Sequence, residues 1–264
     1  MGSNITKVLS ILLCLVSPLP IRVVEDYQSP VAAAGVQATI PTPCTVQYMY
    51  VVRWAWRWSE GEAADEATVV ARLSVVSAQV NYLFYAAGTA ERYQLPAWAM
   101  GDDCRLAVRF LSPGEEVGVT EREKTLLVEN RTDLCGLAYL WDDDRAGRDN
   151  YNTQGSVATI ARGCLTTRNV AHELLHALGA AQASATHASD SWHVSDYGDV
   201  LAVYSEQTDC VNPSTIDCNG DDYYSLAQGE RLHPYLRSHF NLATDSPYLL
   251  LYEQRTIYVP IFFK

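Results

Sequence analysis

Positive charge is scarce in this chain of 264 residues. Nineteen Lys and Arg face 31 Asp and Glu, for a formal net charge of -12 and a pI of about 4.8. A chain this acidic is repelled by phosphate backbones, which argues against nucleic acid as a partner. No Cys-x-x-Cys occurs, which sets aside zinc sites built on that spacing. No internal repeat and no low-complexity tract occurs, which excludes repeat arrays and compositionally disordered chains. After the N-terminus no run reads as a membrane-spanning segment. What is present is an ordinary globular mixture, 48% hydrophobic and 19% charged, long enough for one large domain.

The N-terminus carries Lys7 and then the apolar run Val8-Leu9-Ser10-Ile11-Leu12-Leu13-Cys14-Leu15-Val16, broken by Pro18 and Pro20. That is too short to span a bilayer and fits a secretory leader, with cleavage expected near Ala32-Ala33-Ala34-Gly35. Residues 1–34 are therefore read as signal peptide and linker. Residues 35–264 are read as one domain with subdomains at 35–181 and 182–264. The expected product is extracellular and monomeric, with no stable membrane anchor after cleavage. Without Cys14, six cysteines are left: Cys44, Cys104, Cys135, Cys164, Cys210 and Cys218. An even number in an exported chain reads as three disulfides, and Cys210–Cys218, close in the chain and bracketing a turn-rich stretch, is the first pair expected.

The pattern predicts strands at 46–52, 106–110, 137–141 and 156–161, and helices at 65–84, 120–129, 168–178 and 235–240. Residues 179–223 read as loop. This order implies an α/β (α+β) layer followed by an irregular, disulfide-stapled second half. Strand 156–161 is the expected sheet edge, where an extended peptide would pair.

Chemistry concentrates on helix 168–178. His172 and His176 are four residues apart, so a helix stacks both imidazoles on one face, within reach of one metal ion. Glu173 lies about 100° round the helix. It is badly placed as a ligand and well placed to take a proton from a metal-activated water and return it to a leaving amine. The expected cofactor is Zn2+ and the expected substrate is a peptide. A catalytic zinc site takes three protein ligands. His187 is the first candidate for the third, with His193, Gln182 and Asp190 as alternatives. Asp217, Asn219, Asp221 and Asp222 alternate around Gly220 as a candidate Ca2+ site, as does the weaker run Asp142-Asp143-Asp144.

The run His172-Glu173-Leu174-Leu175-His176-Ala177-Leu178-Gly179-Ala180-Ala181-Gln182-Ala183-Ser184-Ala185-Thr186-His187 resembles a group of secreted actinobacterial proteins related to the metzincins. Cys135-Gly136, Trp141-Asp142-Asp143-Asp144-Arg145, Asp217-Cys218-Asn219-Gly220-Asp221-Asp222-Tyr223-Tyr224 and Tyr235-Leu236-Arg237-Ser238-His239-Phe240-Asn241 fit the same group. The resemblance implies a metzincin-like fold, with a twisted mixed sheet whose edge strand lies over the zinc helix. It also implies zinc-dependent endopeptidase activity. Gln182 is then a group feature. The group's Met-turn methionine is replaced by Leu201, and Tyr204, an oxyanion helper by this analogy, is shifted by one residue. Two cysteines of the group are Val194 and Ala202 here, as if one disulfide had been lost and the 187–204 loop loosened. The rival expectation is a zinc-retaining binding protein on a peptidase scaffold, catalytically weak or inactive.

Overall fold

The computed structural model describes residues 7–11, 48–190, 192–196, 198–206 and 215–253. In chain order its strands are β1 Lys7–Ile11, β2 Val51–Arg57, β3 Arg92–Pro96, β4 Val108–Leu111, β5 Glu123–Glu129, β6 Gly136–Trp141, β7 Ser156–Ala161, β8 Ala188–Asp190, β9 His193–Asp196, β10 Ala202–Glu206 and β11 Leu249–Glu253. The helices are α1 Glu66–Ala86, α2 Thr167–Leu178, α3 Pro234–Ser238 and α4 Leu242–Asp245.

A twisted, mixed six-stranded sheet runs β1-β6-β7-β5-β2-β4. Strands β7, β5, β2 and β4 are parallel, while β6 is antiparallel to β7 and β1 antiparallel to β6. This is the mixed α/β layer that the pattern predicts, with two corrections to its strands. Segment 120–129 is strand β5, not a helix. Its central position buries it on both faces, from Glu123 through Val128, so it shows a continuous run and no alternation. Strand β7 is interior, not an edge. Its hairpin-like partner β6 lies outside it, and the backbone of β1, from the predicted leader, takes β6's outer side.

Helix α1 begins at Asp65, whose side chain accepts the Thr68 N–H at 3.1 Å. Its 21 residues and mean hydropathy of 1.2 would suffice for a bilayer, but Val69, Leu73, Val76, Val80 and Phe84 recur on one face and enter the core with Trp54, Leu174 and Leu178. Residues 188–206, expected as loop, form a small sheet β10-β9-β8. Val194 and Ala202, the two positions where the resembled group has cysteines, are register partners across β9 and β10. A disulfide lost from one would leave the other without a mate, and backbone pairing holds the two strands instead.

Cys135 and Cys164 are bonded to each other. The bridge fastens the start of β6 to the turn leading into α2. Cys104 and Cys218 are also disulfide-bonded, and Cys44 and Cys210 lie outside the described residues.

Lys124 is fully buried in β5. Its ammonium donates to Gln154 O at 2.5 Å and Ser156 Oγ at 3.1 Å, and lies 5.2 Å over the Tyr248 ring. Burial depresses its pKa from 10.5 to about 7. The folded state therefore binds fewer protons than the unfolded state between those values. Stability from this group rises with pH across that window, and its cost is full below about 7. Lys124→Met should accordingly gain on wild type at pH 6 relative to pH 10, by on the order of a few kcal/mol. Urea melts of both proteins at the two pH values check this. An equal difference at both would place the ammonium in a solvated environment.

Candidate metal centre

Helix α2 is fixed at both ends by its own sequence. Thr166 Oγ1 accepts the Asn169 N–H at 3.3 Å. Gly179 closes the helix at φ 94, where its N–H reaches His176 O and the Ala180 N–H reaches Leu175 O, each at 2.9 Å. A Cβ at Gly179 would meet Asn152 Cβ at 2.4 Å. Glycine is thus required both by the left-handed turn and by the approach of Asn152, whose Oδ1 accepts the Trp141 N–H from the end of β6.

Along this helix His172 and His176 face each other with Nε2 atoms 3.1 Å apart. His193, from β9, closes a triangle with them: its ring centroid lies 5.2 Å from that of His172 and 5.0 Å from that of His176. One nitrogen from each of the three lies within 4.8 Å of the others, and all three side chains are buried. The structure thus brings His193, not His187, to the helix pair. His187 instead faces a carboxylate cluster, where Asp222 accepts its backbone N–H at 2.7 Å. His193 is reached only because β8 and β9 fold the chain over α2. Gln182, also buried, donates its amide N–H to Gly179 O at 2.5 Å. The side chains of Asp190 and Tyr204 fall outside the described residues.

The backbone orients His172. His172 Nδ1–H donates to Val200 O at 2.9 Å. A carbonyl only accepts, so the Nε2 lone pair is left to point at the site. Burial, and then the charges of His172 and His193, hold His176 well below its ordinary pKa. The Val200 carbonyl is positioned by the turn around Asp199. That buried carboxylate accepts the Leu201 N–H at 2.6 Å, the Tyr223 hydroxyl at 2.7 Å and the Cys218 N–H at 3.2 Å. Leu201 itself is fully buried. Asp199→Ala should free this turn and weaken metal binding at the three histidines about 10- to 100-fold, as measured by chelator competition. Unchanged affinity would mean that the turn is held without Asp199.

Glu173 is buried, and burial raises its pKa to about 8. Its Oε2 makes no hydrogen bond. Its carboxylate lies against Gly136 of β6, where a Cβ would come within 2.1 Å of Oε1. Gly136 is a site residue that pattern reading assigned only to a family motif.

The candidate Ca2+ ligands do not converge. The Asp217 carboxylate accepts the backbone N–H groups of Asp221, Asp222, Tyr223 and Tyr224, so it builds the turn, and Asn219 is exposed. The run Asp142-Asp143-Asp144 is likewise engaged. Asp142 accepts the Ala183 N–H, Asp143 pairs with Arg145 and accepts the Tyr151 N–H, and Asp144 accepts the Ser184 hydroxyl.

A cavity of about 910 Å3 opens elsewhere, between α1 and the β3–β4 connection. It gathers no set of catalytic side chains, so chemistry rather than size marks the histidine cluster as the candidate site. No protein-family model matches the chain, and no curated protein is significantly similar to it.

Proposed function

We propose that this protein is a zinc-dependent endopeptidase of metzincin-like fold, acting outside the cell after removal of its leader. The observation that carries this reading is the buried triangle of His172, His176 and His193 with Glu173 beside it. Three imidazoles make a fitting donor set for zinc with one position left open. The unsatisfied Glu173 Oε2 is the group such a site needs and a structural cluster does not.

Zinc, when bound, supplies Lewis-acid activation of water and carbonyl. Glu173 takes the proton of the attacking water and delivers it to the leaving amine. Its apolar surroundings, which favour the protonated carboxyl, suit the second half of that exchange. An extended peptide would pair with β6, the antiparallel strand beside α2, at the edge that β1 takes in the uncleaved chain. The rival reading, a zinc-retaining binding protein without activity, has no use for a carboxylate lodged at the metal face.

His193→Ala tests the ligand set. It should lower zinc content at the α2 site from about one ion to a small fraction and abolish casein cleavage. Full zinc content and full activity in that variant would return the third position to another residue.

A further inference from the structure

His187 belongs to a second constellation. Its Nδ1 lies 3.2 Å from Asp222 Oδ2, 3.3 Å from Asp196 Oδ2 and 3.7 Å from Asp221 Oδ2. One ligand atom from each of the four residues lies within 4.8 Å of every other. The donors come from three separate stretches: the connection from α2 to β8, the end of β9, and the turn after Cys218.

The arrangement is poorly balanced by protein alone. Three carboxylates face one imidazole, and neither Asp221 nor Asp222 is bridged to a lysine or arginine among the described residues. The side chains are 14%, 0% and 7% exposed for Asp221, Asp222 and Asp196. Asp221 Oδ1 is buried and accepts no hydrogen bond. Withdrawing a carboxylate oxygen from water without a partner is costly, and a cation at this point removes the cost.

Backbone bonds hold the donors in place without using them up. The His187 N–H donates to Asp222 Oδ1 at 2.7 Å, and Asp217 gathers the N–H groups of Asp221 and Asp222 from behind. Ligands at about 2.0–2.1 Å around a tetrahedral ion are separated by about 3.3–3.4 Å. The three distances from His187 Nδ1 lie around that value.

Calcium takes six to eight oxygens and has little use for an imidazole. One imidazole with several carboxylates suits a first-row transition ion such as zinc or manganese. We propose that His187, Asp196, Asp221 and Asp222 bind a second divalent transition-metal ion, which ties the turn after Cys218 to β9. Because β9 also carries His193, this ion would brace the strand that completes the α2 site.

The proposal stands apart from the catalytic reading, and metal counting separates the two. The full chain, stripped and then dialysed against zinc alone or manganese alone, is measured by elemental analysis, with circular dichroism to confirm folding. Wild type should hold about two ions, and His187→Ala and the near-isosteric Asp221→Asn about one each. A His172→Ala/His176→Ala double variant should also keep about one, lost on adding Asp221→Asn. If folded Asp221→Asn and His187→Ala bind as many ions as wild type, the cluster is an ion-paired His–Asp group only and the proposal is overturned. A folded double variant that binds no ion overturns it equally. Loss of metal from the α2 histidines alone would instead overturn the peptidase reading.

Discussion

Glu173→Gln should leave zinc bound and remove about a hundred- to ten-thousand-fold of the peptidase rate. The substitution keeps volume and shape, so it does not disturb packing against Gly136. It leaves His172, His176 and His193 untouched, so metal content should match wild type. What it removes is the ability to accept a proton. Neither water nor a leaving amine at neutral pH can do without that transfer. The rate should fall in kcat with little change in KM, because a proton acceptor acts in the transition state and not in binding. Parallel elemental analysis and casein assays decide the matter. Equal activity in the two proteins would remove Glu173 from the reaction. Zinc bound with no activity in wild type would favour the binding-protein reading.

Much of this histidine cluster is legible in the sequence, and the reason is local. The two α2 histidines sit four residues apart, the helix has a capping threonine, and Gly179 stops it; each signal lies within one element. Helix α1 was legible for the same cause, through Val69, Leu73, Val76 and Val80. Failure came where the decisive fact was non-local. Strand β5 carries Lys124 in a position that burial on both sides allows only because Gln154, Ser156 and Tyr248 come to meet it. Spacing along the chain favoured His187 over His193 as third ligand. The strand β8, which carries the chain outward and back, reverses that order in space. The edge of the sheet was placed on β7 because nothing in a single strand's sequence says which neighbour it will have. The acidic run 217–222 was read as one site, whereas Asp217 turns inward to the backbone and only Asp221 and Asp222 turn out to meet His187.

Gly136→Ala should cost activity without touching a ligand or the proton acceptor. Gly136 has an ordinary backbone conformation, since its φ is not among the positive values, so alanine meets no torsional objection there. The conflict is purely spatial. The new methyl would lie 2.1 Å from Glu173 Oε1, 2.4 Å from Cδ and 2.6 Å from Cγ, well inside contact distance. Strand β6 is poorly placed to retreat, because Gly136 pairs with Ile160 of β7 and the adjacent Cys135 is bonded to Cys164 at the foot of α2. Helix α2 is equally fixed, with Leu174, Leu175 and Leu178 buried on its far side. Glu173 must therefore swing away from its place against β6. A displacement of about 1 Å in a catalytic group costs about a hundred-fold in rate, and overpacking should lower stability by about 1–3 kcal/mol. Zinc content should be unchanged, since the three imidazoles keep their positions. Gly163→Ala is the matched control, because a Cβ there meets nothing within 4 Å, and it should behave as wild type. Full activity in Gly136→Ala would show that Glu173 works from a different rotamer, away from β6. An equal loss in both variants would trace the effect to folding instead. The expected pattern, activity lost in one and zinc kept in both, would tie β6 and α2 into one catalytic unit through a residue whose whole contribution is the absence of a side chain.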